Sequence, residues 1–312
     1  MTTHTPSEKE LQEMVKGLFP VLDQSKHKGE AGRLAVIGGS EEYTGAPYFA
    51  AITTMKVGAD QVHVCCAKDA AGVIKSYSPD LIVHPTLDAK DAEKKITDLF
   101  ERLHLLIIGP GLGRTDSTLK TVEHLIKCAK EKDLPIVIDA DGLWLINQQS
   151  DLINGYEKAV LTPNQMEAQR LWKAMKFSED SWDQKPTSVL KLSQALGNIG
   201  LIVKGPCDII TDGKNVVEST EIHGLKRAGG QGDIMTGALG AFYFWALEAK
   251  KNGIAKNDLV AKLGPVICAG YAASLLTRKC SKLAFDELGR SMLASDMLRK
   301  IPEVVKELQG CR

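Results

Sequence analysis

Short runs of uninterrupted apolar residues alternate along this chain with stretches of helical periodicity, and that alternation restricts the fold more than any other feature. The clearest run is Leu105-Leu106-Ile107-Ile108. With no polar residue to face water, a strand there must be covered on both sides. The spacing predicts strands at Arg33–Gly38, Gln61–Cys66, Leu81–His84, Leu105–Gly109, Ile136–Asp139 and Ala159–Thr162. Between them it predicts helices at Ala46–Val57, Lys90–Arg102, Thr115–Lys132 and Gln165–Met175. Strands separated by helices build βαβ units, so the expected fold is α/β in three α/β/α layers around a mostly parallel sheet.

The pattern then changes. Leu201–Lys204, Asp208–Thr211 and Val216–Ser219 are short strands joined by Gly205-Pro206 and Asp212-Gly213. Asp-Gly between apolar runs favours a hairpin, which predicts an antiparallel edge to the sheet. That edge is also one place where two copies could pair as a homo-oligomer. Helices are expected at Asp233–Ala249, Asn257–Arg278 and Ser291–Leu308. No linker rich in Pro, Gly and Ser interrupts the chain. Residues 1–312 are therefore expected to form one catalytic domain, with roughly the first 25 residues as a helical extension.

Charge and composition remove several functions. Lys+Arg and Asp+Glu both number 39, so no net field favours nucleic acid or an anionic membrane. The seven cysteines are odd in number and contain no C-x-x-C pair, which supports neither a disulfide framework nor a structural zinc site. A reducing, cytoplasmic setting is expected. The seven histidines lack H-E-x-x-H spacing, and neither a G-x-S-x-G elbow nor a G-x-x-x-x-G-K-[ST] loop occurs.

The stretch Ala228-Gly229-Gly230-Gln231-Gly232-Asp233 carries the strongest chemical signal. Glycines there let backbone N–H groups approach a ligand, and the helix start adds partial positive charge. A carboxylate would repel a stored phosphate. It has a purpose if it must take a proton from a hydroxyl that is being phosphorylated.

Gly109-Pro110-Gly111-Leu112-Gly113-Arg114 follows a strand and suggests ligand contact. G-x-G-x-x-G would need glycine at Arg114 or Asp116, so the dinucleotide-fold motif of hydride-transfer enzymes is absent. Asp139 and Asp141 in Asp139-Ala140-Asp141-Gly142 suit a cap, with Asp141 well placed, as much as a metal or a base. Asn164 and Glu167 suit a capping box, or else they face the ligand together with Arg170. Thr44 is expected to cap the helix that follows it. Lys204 ends a strand where a lysine could meet phosphates.

Together these segments resemble the ribokinase-type superfamily, and more closely the ATP-dependent NAD(P)H-hydrate dehydratases. The matching pieces are Lys28-Gly29-Glu30-Ala31-Gly32, Gly38-Gly39-Ser40, Tyr43-Thr44-Gly45-Ala46-Pro47, the Gly109–Arg114 loop, Asp139-Ala140-Asp141-Gly142, Thr162-Pro163-Asn164, Lys204-Gly205 and Gly229-Gly230-Gln231-Gly232-Asp233. The resemblance implies a ribokinase-like fold and repair of hydrated NADH and NADPH at the expense of ATP. It implies that Gly111, Asn164, Gln165, Met166, Glu167, Ala168, Gln169 and Arg170 contact the hydrate. It further implies that Lys204, Gly205, Pro206, Cys207, Asp208, Gly224, Leu225, Lys226, Arg227, Ala228, Gly229, Gly230, Gln231 and Gly232 surround ATP. Asp233 would meet the substrate hydroxyl as base. Mg2+ is expected on the phosphates and water, with Glu167 as the candidate protein ligand. This chain departs from the family at Ala168, where a bulky aromatic is common. A ribokinase-type kinase acting on a vitamin or sugar hydroxyl would use the same phosphate machinery.

Overall fold

Strands form at every apolar run, and helices carry the chain between them. In order, the strands are β1 (Arg33–Ile37), β2 (Gln61–Cys66), β3 (Ile82–Pro85), β4 (Leu105–Ile108), β5 (Ile136–Ile138), β6 (Ala159–Leu161), β7 (Gly200–Val203), β8 (Asp208–Thr211) and β9 (Val216–Ser219). The first helices are α1 (Glu8–Leu18), α2 (Gly45–Val57), α3 (Lys68–Tyr77), α4 (Ala92–Thr97), α5 (Asp116–Glu131) and α6 (Ala140–Gln148). They continue with α7 (Gln165–Ala174), α8 (Pro186–Ala195), α9 (Gln231–Lys251), α10 (Asp258–Leu263), α11 (Pro265–Leu288) and α12 (Ala294–Gln309). This computed structural model describes residues 6–178, 181–252 and 258–310.

The nine strands lie in the order β3-β2-β1-β4-β5-β6-β7-β8-β9. β1 to β7 pair in parallel, whereas β7–β8 and β8–β9 are antiparallel. The expected edge hairpin is therefore present, with β9 at the end of the sheet. Alternate residues of each central strand enter opposite cores. Leu34, Val36, Leu105 and Ile107 pack under α1, α2, α9, α11 and α12. Ala35, Ile37, Leu106 and Ile108 pack under α5 to α8. Full burial of each such aliphatic side chain is worth about 1.5–3 kcal/mol, which is why these strands tolerate no polar residue.

Several helices differ from expectation. The helix anticipated over 90–102 is the short α4 followed by a 3₁₀ turn at Phe100–Arg102, which turns buried Phe100 into the core before β4 begins. The helix anticipated from Asn257, a residue outside those described, is two helices. Gly264 adopts φ 83° and Pro265 starts α11. Proline suits a first helical turn but cannot continue a helix arriving from before it. Helices α3 and α8 were not expected, and α6 is the helix anticipated after the Asp139-Ala140-Asp141 segment.

Five strands stop one residue earlier than the apolar pattern implies, leaving Gly38, Gly109, Asp139, Thr162 and Lys204 just beyond their ends. These residues line up along the carboxyl edge of the parallel sheet. The strand order reverses direction between β1 and β4, and in such sheets that switch point opens a crevice at the carboxyl edge.

Candidate active site

Helix α9 begins in the glycine loop. Gly230 stands before it with φ 96°, in the left-handed region. A Cβ there would lie 2.8 Å from Ala294 Cβ and 2.9 Å from Phe49 Cδ2, so only glycine fits both the backbone and the space. Hydrogen bonding starts with Gln231 N–H to Ala228 O and Ile234 N–H to Gly230 O. The Gly232 and Asp233 amides of the first turn have no acceptor among the described residues. They are available to an anion.

Asp233 occupies the third position of α9, and its carboxylate makes no hydrogen bond to another described residue. Burial, reinforced by the nearby Asp139 charge, pushes its pKa from 3.8 up to about 8, against the pull of Lys204. Asp139 itself is 2 % exposed and fully engaged. Its Oδ1 accepts from Lys204 Nζ at 2.8 Å and its Oδ2 from Thr236 Oγ1 at 2.6 Å. Burial pulls the Lys204 pKa down, but the Asp139 and Glu167 carboxylates outweigh it and the net shift is upward. Lys204 thus remains a cation between β5, β7 and α9.

Neither acid of the 139–141 segment caps α6. Asp139 is at the N-cap position without a side-chain cap bond. Asp141 accepts from Gly113 N–H at 3.1 Å and Arg114 Nε at 2.7 Å, tying the glycine loop to the helix. Thr44 also makes no cap bond; its hydroxyl meets Tyr77 Oη at 2.9 Å. Asn164 and Glu167 do form a capping box. Glu167 N–H donates to Asn164 Oδ1 at 3.0 Å, and Asn164 N–H donates to Glu167 Oε2 at 2.8 Å. This fixes Glu167 while leaving its Oε1 uncommitted. Burial raises its pKa despite the opposing Lys204 charge. Capping and ligand-facing roles are therefore compatible.

A cleft of about 580 Å³ opens beside Lys204. Among its lining residues are Asn164, Lys204, Gly205, Pro206, Asp208, Arg227, Ala228, Gln231 and Gly232 from the sequence expectation. His223, Met235, Thr277, Arg278 and Ser281 line it without having been foreseen. His223 Nδ1 lies 2.7 Å from Gly224 O, so that nitrogen carries the proton and Nε2 accepts from Arg227 Nη2 at 2.9 Å.

Arg278 holds the cleft's two loops together. It donates to Gly205 O and Pro206 O at 2.8 Å each, and to Glu221 O at 3.1 Å. Its Nε lies 2.8 Å from Asp208 Oδ2, and Asp208 also accepts from Ser274 and Gly205 N–H. Asp208 is thereby a brace for the turn.

The other residues expected to contact ligands lie outside that cleft lining. Ala168 is completely buried in the core under α5 to α8, so its side chain faces away from the rim; the small residue fits that core. Cys207 Sγ is directed at Glu218 Oε1, 3.7 Å away. Gly224 is packed on α11, where a Cβ would fall 2.6 Å from Ser281 O. Leu225 and Met166 are 82 % and 61 % exposed. Lys226 offers its carbonyl to Gln231 Nε2 at 3.1 Å. Gln165 approaches Gly205, Gln169 is half-buried and Arg170 is exposed. Gly111 lies beside Tyr43 over the β1/β4 crevice.

Known proteins resemble the chain in sequence and in fold. The family model described as NAD(P)H-hydrate dehydratase matches residues 34–303. The ATP-dependent (S)-NAD(P)H-hydrate dehydratase of Rattus norvegicus is 47% identical over 301 residues, spanning 96% of this chain and 85% of its own. The Homo sapiens protein of the same name is 46% identical over 299 residues, with 95% and 84% covered. In fold, the chain is similar to the Bacillus subtilis ADP/ATP-dependent NAD(P)H-hydrate dehydratase co-crystallised with ATP/Mg2+. That match has TM-score 0.71 and 21% identity over 95% of this chain and 97% of the other. A family match over residues 34–303, with relatives 46–47% identical along nearly the whole chain, has one consequence: the chain belongs to the NAD(P)H-hydrate dehydratase family.

Proposed function

We propose that the loop at residues 229–233 directs the γ-phosphoryl group of ATP onto the ring hydroxyl of the substrate, with Asp233 as base. As a member of its family the protein is an ATP-dependent hydro-lyase of nicotinamide repair, returning the S hydrate of NADH or NADPH to the reduced cofactor. The observation that carries the assignment of the base is the Asp233 carboxylate: unpartnered, raised to about 8, and set beside two unused first-turn amides.

ATP enters the cleft beside α11, where Lys204, Arg227 and the amides of Gly232 and Asp233 meet its phosphates. The hydrate lies on the other side of Asp233, against Gly111, Asn164 and Glu167. Its hydroxyl sits on the ring carbon next to N1. Asp233 accepts the hydroxyl proton as the oxygen bonds to the γ-phosphorus and ADP leaves. Hydroxide is a poor leaving group, but phosphate is a good one. The N1 lone pair expels it, and the adjacent carbon then loses a proton to restore the dihydropyridine. A base matched to the operating pH typically contributes about 10²–10⁴-fold, and the amides stabilise charge on the transferring group.

Among the described residues no cluster of three or more His, Cys, Asp or Glu is arranged to hold a metal ion. A hard cation fits instead as a phosphate-bound ion with Glu167 Oε1 as its protein-side oxygen, directly or through water. Mg2+ there would neutralise charge on the phosphoryl oxygens. Residues 1–312 act as one catalytic unit, and we place it in the cytoplasm. No described helix is long and apolar enough to cross a membrane.

The test is incubation with S-hydrate, Mg2+ and ATP, following absorbance in the reduced-nicotinamide band together with phosphate. Both should rise in equal amounts. A stable phosphate ester with no gain in absorbance would make the protein a small-molecule kinase instead.

A further inference from the structure

Only the nicotinamide end of the hydrate reacts, so its pyrophosphate and adenosine must rest elsewhere on the rim. The cleft proposed for ATP lies on the β7–α11 side of Lys204. What remains at the carboxyl edge is the side over β1, β4 and β5, where the 109–114 loop follows β4.

One cation there is both fixed and unsatisfied. Arg114 Nε donates to Asp141 Oδ1 at 2.7 Å, and the guanidinium carbon lies 4.5 Å from the centre of the Trp144 ring. Gly113 N–H reaches the same carboxylate, so loop, guanidinium and the first turn of α6 are tied together. The Arg114 side chain is 52 % exposed, and its two terminal nitrogens have no partner among the described residues. Trp144 is 37 % exposed despite its large apolar surface. A surface ion pair is worth at most about 1 kcal/mol, and folding alone would gain more by burying the indole. The pair makes better sense as a prepared receptor. A guanidinium already stacked and anchored loses little further freedom when a phosphate binds its remaining fork. Arg170, another exposed arginine of the carboxyl edge, has no ring stacked on it among the described residues.

We propose that Arg114 and Trp144 form the subsite for the AMP half of the hydrate, Arg114 meeting the pyrophosphate and Trp144 offering its exposed indole to the adenine. This rests on the dehydratase reading above. Neither residue touches the reacting atoms; both set the affinity for a dinucleotide over a smaller nicotinamide compound.

The experiment compares the full-length enzyme with Arg114→Met and Trp144→Phe and Trp144→Ala, using three S-hydrates: of NADH, of NADPH and of reduced nicotinamide mononucleotide, which lacks the AMP half. We expect Arg114→Met and Trp144→Ala to lower kcat/KM on both dinucleotide hydrates by about tenfold or more. The loss on the mononucleotide hydrate should be at least fivefold smaller, with Trp144→Phe intermediate on the dinucleotides. Equal losses on all three hydrates would overturn the subsite. A loss confined to the NADPH hydrate would move Arg114 to the 2′-phosphate and overturn its pyrophosphate assignment. Should the parent enzyme regenerate no cofactor from any hydrate, the dehydratase reading itself would fall, an outcome separate from the other two.

Discussion

Lys204 Nζ and Asp139 Oδ1 lie 2.8 Å apart although 65 positions separate them in the chain. Each residue sits just beyond a parallel strand, β5 for Asp139 and β7 for Lys204, and the contact ties the proposed ATP side of the site to the proposed hydrate side. Asp139 also supplies part of the field that keeps Asp233 protonated at neutral pH. The pair therefore works on the base as well as on the fold.

Asp139→Asn should expose both roles. Lys204 loses its closest counter-ion while remaining mostly buried, with 20 % of its side chain exposed. Breaking a buried pair can cost about 3–5 kcal/mol; the partial exposure and the retained Thr236 bond place this substitution below that, at about 1–3 kcal/mol in denaturant unfolding. With one negative charge gone, the pH at which Asp233 ionises should fall. The acid limb of kcat/KM would then move to lower pH than in the parent. An unmoved limb would mean that Asp139 does not act on the base.

As the proposed base, Asp233 should govern the pH profile of the reaction. With its pKa near 8, only the ionised fraction can accept the hydroxyl proton. kcat/KM should rise about tenfold per pH unit below that value and level off above it. Asp233→Asn keeps the size and removes the base. Turnover should fall by about 10²–10⁴-fold with ATP binding largely kept, and the acid limb should vanish.

The same shift has a signature in stability. The Asp233 carboxyl is raised in the folded state from 3.8 to about 8, so in that window the folded enzyme holds a proton that the unfolded chain has released. Its contribution to stability declines as pH rises through the window and is flat above it. Asp233→Asn carries no such penalty. The Tm of the variant should gain on that of the parent from about pH 4 to pH 8, then run parallel, as followed by calorimetry. A gap independent of pH would place the carboxyl's ionisation elsewhere.

Much of this site is legible in the sequence because its parts are local. The apolar runs locate all nine strands, and the residues just past five of them are the site's own loops. The capping box at Asn164 and Glu167 is readable because three residues separate its partners. Asp139 is harder, since a carboxylate at a strand end suits a cap as well as an ion pair, and its partner comes from a distant strand. Arg278 has no local signal at all. It lies inside α11, and its purpose comes from carbonyls 57 to 73 positions away. Periodicity finds elements; long-range polar braces need the fold.

Arg278→Lys tests that brace. Lysine keeps the charge for Asp208 but lacks the planar fork that reaches three carbonyls. Losing about 0.5–1.5 kcal/mol per bond predicts a stability loss of about 2–4 kcal/mol. The loosened 205–208 turn and 221–224 loop both border the cleft proposed for ATP. KM for ATP should therefore rise about tenfold while kcat falls much less. An equal effect on the KM of the hydrate would mean that Arg278 acts only through global stability.

Gly230→Ala asks whether the loop geometry itself is required. At φ 96° an alanine is strained, and its Cβ would meet Ala294 Cβ at 2.8 Å and Phe49 Cδ2 at 2.9 Å. Relief requires the start of α9 to shift, which carries the Gly232 and Asp233 amides with it. The strain alone is worth about 1–3 kcal/mol, so Tm should drop and KM for ATP should rise together. Gly229 supplies the contrast. It has open space around its Cβ position and no positive φ, so Gly229→Ala should alter stability by no more than about 0.5 kcal/mol. If the two alanines proved equally costly to the fold, the left-handed turn before α9 would not be what sets the position of those amides.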